Sequence, residues 1–253
     1  MPPTHGRDAL GHRAKIGILV PASNTIVEPE MAALQPPGVT NHVSRMSRVN
    51  RPAHDLELYK KMLGKSVDMD DAIDLLTVAE PNIIVHGHSV DSFVDGLAGA
   101  EAMKKRMEAV AKGIPVMLPS FAILKALECL GKPNRLAILT PWMPPADEAC
   151  KAFFENAGYK VLAIKGLKHP TPLDIATATP ELLNSAVDEI NVTGVECIVK
   201  VGTNSAIARL VADMERRLGK PVLTVNTVTY WAGLRALGID DRLRGWGRLA
   251  ENF

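Results

Sequence analysis

A chain of 253 residues is long enough for one large domain or two small ones, and 47% hydrophobic with 23% charged residues is an ordinary globular balance. A formal net charge of +1 leaves no electrostatic footprint for nucleic acid or another polyanion. No apolar run approaches the roughly 20 residues a bilayer span needs, and residues 1–14 lack the apolar core of a secretory signal. The expectation is a cytoplasmic protein with a flexible N-terminal tail, no membrane partner and no nucleic-acid partner. Cys129, Cys150 and Cys197 are an odd count without CxxC spacing, which suits reduced thiols. Each sits inside a helical or strand pattern, so each reads as a small buried hydrophobe and not a nucleophile.

In chain order, Ile16 to Val20 is a non-alternating apolar run, the pattern of a strand buried on both faces. Pro21 ends it, because proline cannot donate to a ladder. Ser23, Asn24 and Thr25 are N-cap types, predicted to open a helix carrying Val27, Met31 and Leu34. His42 to Met46 is a second strand, and Ser47 to His54 reads as a loop. Helices are predicted over Leu56–Leu63 and Met69–Ala79, broken by Pro81. Asn82 to Ser89 is a strand and its loop, followed by a helix from Leu97 to Ala111. A short strand from Ile114 then leads to a helix ending at Leu130.

The second half repeats this order. Arg135 to Trp142 answers the opening strand and its proline, with a helix from Ala146. Tyr159 to Ile164 is a strand, Leu167 to Thr179 a loop, and Pro180 to Ile190 a helix. Cys197 to Val201 and Pro221 to Thr227 answer the remaining strands. The tails match too: Pro115-Val116 leads to Leu130-Gly131 and Arg135-Leu136, and Pro221-Val222 to Leu237-Gly238 and Arg242-Leu243. Prolines at matching places after strands point to a duplicated α/β fold. The expected domains are 15–130, with 229–253 packing back on it, and 131–228. The carboxyl ends of their strands would surround one cleft, where open α/β sheets bind ligands and helix N-termini favour anions.

Val20-Pro21-Ala22-Ser23-Asn24-Thr25, Ser89-Val90-Asp91-Ser92-Phe93, Leu139-Thr140-Pro141 and Thr203-Asn204 resemble the aspartate/glutamate racemase superfamily. The nearest branch is that of maleate cis-trans isomerases and arylmalonate decarboxylases. The resemblance spans Lys15 to about Gly245. It implies two similar Rossmann-like domains with mainly parallel sheets, related by a pseudo-twofold axis, with the active site between them. It also implies no cofactor, a small carboxylic acid as substrate, a homo-oligomer, and a functional asparagine at Asn24. The branch places catalytic cysteines at the ends of two strands, and this sequence departs at both. The first cysteine position falls on His88 and the second on Gly202. The tyrosine that commonly follows threonine-proline is Trp142, and Val90 replaces a hydroxyl.

His88 is the residue at those two positions that can move a proton near neutral pH. It is expected to be catalytic together with Asn24. Ser23, Thr25, Ser89, Val90, Thr140, Trp142, Gly202, Thr203 and Asn204 are expected to line the substrate. Their hydroxyl, amide and backbone donors suit a carboxylate whose charge shifts toward an enediolate, and Arg45, Arg48 and Arg51 are candidates for an added cation. His86 and His88 would point the same way on an extended strand, so a metal-dependent hydrolase is an alternative, with Asp91 and Asp95 nearby. A non-catalytic carboxylate-binding protein is another. No GxGxxG, GxxxxGK or Gly-x-Ser-x-Gly pattern is present.

Overall fold

The structure, a computed structural model, describes residues 8–47 and 67–253. Arg48, Arg51 and the helix expected over Leu56–Leu63 lie outside the described residues. The first half runs β1 (Ala14–Pro21), α1 (Val27–Ala33), β2 (Val39–Met46), α2 (Val67–Thr77), β3 (Ile83–His86), α3 (Gly96–Val110), β4 (Val116–Met117) and α4 (Pro119–Cys129). The second runs β5 (Arg135–Thr140), α5 (Pro144–Asn156), β6 (Lys160–Gly166), α6 (Pro180–Ile190), β7 (Cys197–Lys200), α7 (Val211–Leu218), β8 (Val222–Thr224) and α8 (Val225–Ala236), with α9 (Arg248–Asn252) after it.

Each half is a four-stranded sheet, ordered β2-β1-β3-β4 and β6-β5-β7-β8, and every pairing is parallel. The duplication read from the sequence therefore holds at the level of strand order. The central strands β1, β3, β5 and β7 are apolar runs because helices cover both faces of each sheet. Ile16, Ile18 and Val20 enter one cluster with Val27, Tyr230 and Leu234. Leu19 and Ile84 enter a second cluster, which also holds Leu136, Ile138, Cys197 and Val199 of the other sheet. This second cluster joins the halves. Phe93 is its hub, with ring centroids 5.0 Å from Phe153, 5.7 Å from Phe154 and 6.3 Å from Trp142. Such aromatic pairs contribute about 0.5–1.5 kcal/mol each beyond their buried area.

Pro119, Pro144 and Pro180 sit in the first turns of α4, α5 and α6, where no intrahelical N–H is required. From Val225 to Leu234, α8 is buried all round. A helix without a polar face must be covered on every side, and α8 packs against α4 and β8 and also against α1, β3 and β4 of the first half. Tyr230 of α8 donates its hydroxyl to Asn41 Oδ1 of β2 at 2.8 Å.

Several boundaries differ from the sequence expectation, among them the last strand, which ends at Thr224 because Val225–Thr227 open α8. The first helix begins at Val27, with Ile26 at its N-cap and Leu34 past its end. Asn24 still serves it: Oδ1 accepts from the backbone N–H of Ile26 at 3.0 Å and of Val27 at 2.9 Å. The segment expected as a loop over Leu167–Thr179 contains a short 3₁₀ turn, Asp174–Thr177. Another 3₁₀ turn, Val90–Ser92, follows β3 directly.

Candidate active site

The loops after the central strands meet, and hydrogen bonds stitch the halves together there. Asn24 Nδ2, after β1, donates to Thr203 Oγ1, after β7, at 3.0 Å. Thr25 N donates to Asn204 Oδ1 at 2.9 Å, and Asn204 Nδ2 reaches Ser23 O at 3.4 Å and Pro172 O at 2.8 Å. Gly202 N donates to Ser89 Oγ, after β3, at 3.1 Å. Ser23, Asn24, Thr25, Ser89, Gly202, Thr203 and Asn204 are thus brought together as expected. Proton counting leaves donors for a ligand: Asn24 Nδ2 carries a second hydrogen, and the Thr203 hydroxyl, accepting from Asn24, retains its own.

Val90 and Thr140, expected to line the substrate, both have partners inside the fold. Val90 is buried in the apolar cluster that joins the halves, because the 3₁₀ turn it opens directs its side chain inward with Phe93. Thr140 is fully buried, donates its hydroxyl to Asp147 and accepts from Trp142 N at 3.0 Å. It shapes the loop after β5. Trp142 packs on Phe93 with 7% of its surface exposed. Arg45 is engaged with Asn24 O at 2.9 Å and Glu28 Oε2 at 2.6 Å, so it braces the Asn24 loop from outside.

Asp91, Lys200 and Glu30 carry roles that the sequence did not assign. Asp91 Oδ2 lies 2.9 Å from His86 Nε2 and 2.9 Å from His88 Nδ1. Burial alone would raise the Asp91 carboxyl; the two imidazoles outweigh it and hold the group well below the usual carboxylate range. His86 is fully buried, and the His88 side chain is 17% exposed. One donor atom from each of the three lies within 4.8 Å of the others, a spacing within reach of a divalent cation. Both 2.9 Å contacts are ordinary N–H···O lengths and stand as hydrogen bonds without an ion.

Lys200 ends β7, fully buried, and donates to Gly202 O at 2.5 Å. Burial pushes its ammonium down to about 7, against the attraction of Glu30. Glu30 of α1 crosses between the halves, accepting from Ala208 N at 3.0 Å and Asn226 Nδ2 at 2.7 Å. Burial raises its carboxyl, which those hydrogen bonds and Lys200 oppose. The available signal was a charged residue closing the apolar run Cys197-Ile198-Val199. For Asp91 it was the three-residue step from His88 into a turn.

Gly202 has φ +87°, a left-handed conformation that favours glycine, and a β-carbon there would overlap the Pro141 ring. None of the cysteines replaces the missing strand-end thiols. Cys150 and Cys197 are fully buried and burial raises both thiols, while Cys129 ends α4.

The arylmalonate decarboxylase family model matches residues 16–250. This chain belongs to that family. Within it, the chain is 27% identical over 251 residues to maleate isomerase from Pseudomonas putida, covering 93% of this chain and 96% of that protein. It is 27% identical over 166 residues to arylmalonate decarboxylase from Bordetella bronchiseptica, covering 63% and 67%. Among solved structures, maleate cis-trans isomerase from Nocardia farcinica, with a covalently bound succinylcysteine intermediate, superposes with a TM-score of 0.86 at 24% identity, over 95% of this chain and 99% of that one. Arylmalonate decarboxylase superposes with a TM-score of 0.78 at 21% identity, over 94% and 100%. The two similar domains are therefore the architecture of the family. Among the described residues, no helix is long and apolar enough to cross a membrane.

Proposed function

We propose that this chain is a cofactor-independent isomerase or lyase acting on a small dicarboxylic acid of the maleate or malonate type. His88 moves the proton, and Asn24, Ser89 and the Gly202–Thr203 loop hold the carboxylate. The relatives named maleate isomerase and arylmalonate decarboxylase support the reaction class. The single observation that carries the residue roles is the asymmetry of the strand ends. His88 stands after β3, while Gly202 after β7 has no side chain and no room for one.

One proton-transferring group serves one face of a substrate. In a decarboxylation, the departing carboxylate leaves as carbon dioxide and its bonding electrons pass to the α-carbon. The remaining carboxylate spreads them as an enediolate; His88, having taken a proton from solvent on Nε2, delivers it to the α-carbon and returns to its neutral form. Donors aimed at that enediolate stabilise the charge where it develops. Elimination and hydration need the same single group, whereas two-base racemisation needs donors on opposite faces.

The proposal extends to a cytoplasmic protein with domains 15–130 plus 229–253 and 131–228. Near-neutral charge supports the absence of a nucleic-acid partner.

The test is a panel of malonate- and maleate-type acids read by NMR. Turnover by the parent, and a loss of about 10²–10⁴-fold in His88→Ala, is the expected result. Racemisation of free aspartate or glutamate, or parental turnover by His88→Ala, would overturn the one-base reading. Binding across the panel without turnover would make the chain a carboxylate-binding protein instead.

A further inference from the structure

We infer that Asp91 and His86 are positioning residues that hold His88 in one tautomer, with the proton on Nδ1 and the lone pair of Nε2 free for proton transfer. The inference rests on the role proposed for His88 and adds how that role is set.

Asp91 Oδ2 is 2.9 Å from a nitrogen of each ring. An ionised carboxylate oxygen only accepts hydrogen bonds, so a nitrogen facing it must carry the hydrogen. A neutral imidazole has one N–H. His88 is then protonated on Nδ1 and His86 on Nε2, and each ring's lone pair sits on its other nitrogen. The reverse tautomer of either ring would set a lone pair against Oδ2. It would also bury an N–H at His86 Nδ1, which has no hydrogen-bond partner.

The carboxylate is anchored from two sides. Its backbone belongs to the turn Val90–Ser92, pinned by Ser92 Oγ donating to Ser89 O at 2.8 Å. Val90, which opens the turn, and Phe93, which follows it, are buried in the cluster that joins the halves. His86, fully buried at the end of β3, holds the same oxygen that His88 uses. Asp91 therefore has little freedom to swing away when His88 changes charge. As Nε2 takes a proton, the Nδ1–H···Oδ2 contact becomes charge-assisted and stabilises the imidazolium. The hydroxyl of Ser89, adjacent to His88, meanwhile fixes Gly202 N–H across the cleft at 3.1 Å.

The experiment is long-range ¹H–¹⁵N correlation on the full chain labelled at histidine nitrogen, at a pH where both rings are neutral. The expected pattern is a protonated Nδ1 for His88 and a protonated Nε2 for His86. Asp91→Ala removes the oxygen that both rings share, and His88 should then lose its single tautomer; the amide oxygen of Asp91→Asn can still accept from both rings and should preserve it better. His86→Gln, which retains a donor, should preserve it better than His86→Ala. On turnover, Asp91→Ala should lower kcat by about 10²–10⁴-fold with KM nearly unchanged.

A protonated Nε2 on His88 in the neutral parent ring, or a His88 tautomer unmoved in Asp91→Ala, would overturn the inference. So would a stoichiometric divalent cation in the purified protein that disappears in His86→Ala, because a ligating nitrogen carries no proton. If His88→Ala is inactive while Asp91→Ala keeps parental kcat and tautomer, the positioning role fails and the proton-transfer role stands. If His88→Ala is fully active, the proton-transfer role fails whatever the tautomer.

Discussion

The third strand of each half stops at the same register. His86 closes β3 opposite Leu19 of β1, and Lys200 closes β7 opposite Leu139 of β5. Both are fully buried and titratable. Two residues further on stand His88 in one half and Gly202 in the other, followed by the hydroxyls of Ser89 and Thr203. The scaffold is duplicated, but the chemistry is not. In the first half the buried group braces a side chain, through Asp91. In the second it braces backbone, with Lys200 on Gly202 O while Gly202 N reaches Ser89. A duplicated fold thus supplies two equivalent strand ends, and side-chain choice gives one an imidazole bonded to a carboxylate and the other a glycine loop held through its backbone.

Substitutions at equivalent positions should expose this asymmetry. The largest expected effect is His88→Ala, with the loss of about 10²–10⁴-fold in turnover and little change in urea midpoint, because the ring is partly exposed at the cleft. Gly202→Ala should do the opposite. A side chain at φ +87° against Pro141 is strained, and such strain costs on the order of 1–3 kcal/mol before the overlap is counted. A lowered urea midpoint with unchanged m-value would show it; an unchanged midpoint would mean that the loop yields.

Lys200 should give a pH signature. Its ammonium titrates at about 7 when folded, against an ordinary lysine value of 10.5 once the chain unfolds and water reaches it. Between those values the unfolded chain holds the extra proton, so the stability of the parent should rise with pH from about 7 toward 10.5. Lys200→Met should flatten that slope in urea titrations at stepped pH, and an unaltered slope would contradict it. Asp147 gives a smaller effect of opposite sign. Burial raises its carboxyl to about 6 from 3.8, against the Thr140 hydrogen bond. The folded state holds the extra proton between those values, so stability falls as pH rises through them. Asp147→Asn should remove that decline. Smallest of all, replacing Cys129, Cys150 and Cys197 with alanine should leave turnover per folded molecule near parental; loss of turnover with the fold intact would return a thiol to the mechanism.

Much of this was legible in the chain. Apolar runs ending in proline, repeated in the same order, mark strands buried on both faces with loops at their carboxyl ends. The proline placed Asn24 at a strand end, and the apolar runs before His86 and Lys200 placed Ser89, Thr203 and Asn204 at two others. Local turn geometry was less legible. Val90 and Thr140 sit in the right loops, yet one side chain turns into the core and the other is used up by Asp147. Residue type and sequence position do not report which way a 3₁₀ turn points its side chains.

The class of fold and the duplication were readable from the chain, because periodicity and proline placement are local properties; the reading of His88 and Gly202 as cysteine positions came from the resemblance alone. The pairing of Asn24 with Thr203 and of Ser89 with Gly202, 179 and 113 residues apart, came only with the folded molecule. So did the sharing of one Asp91 oxygen by His86 and His88, and the closing of the space behind Gly202 by Pro141. These are distances and directions between side chains on separate strands, set by how two sheets and the buried helix α8 pack, and no local pattern encodes them.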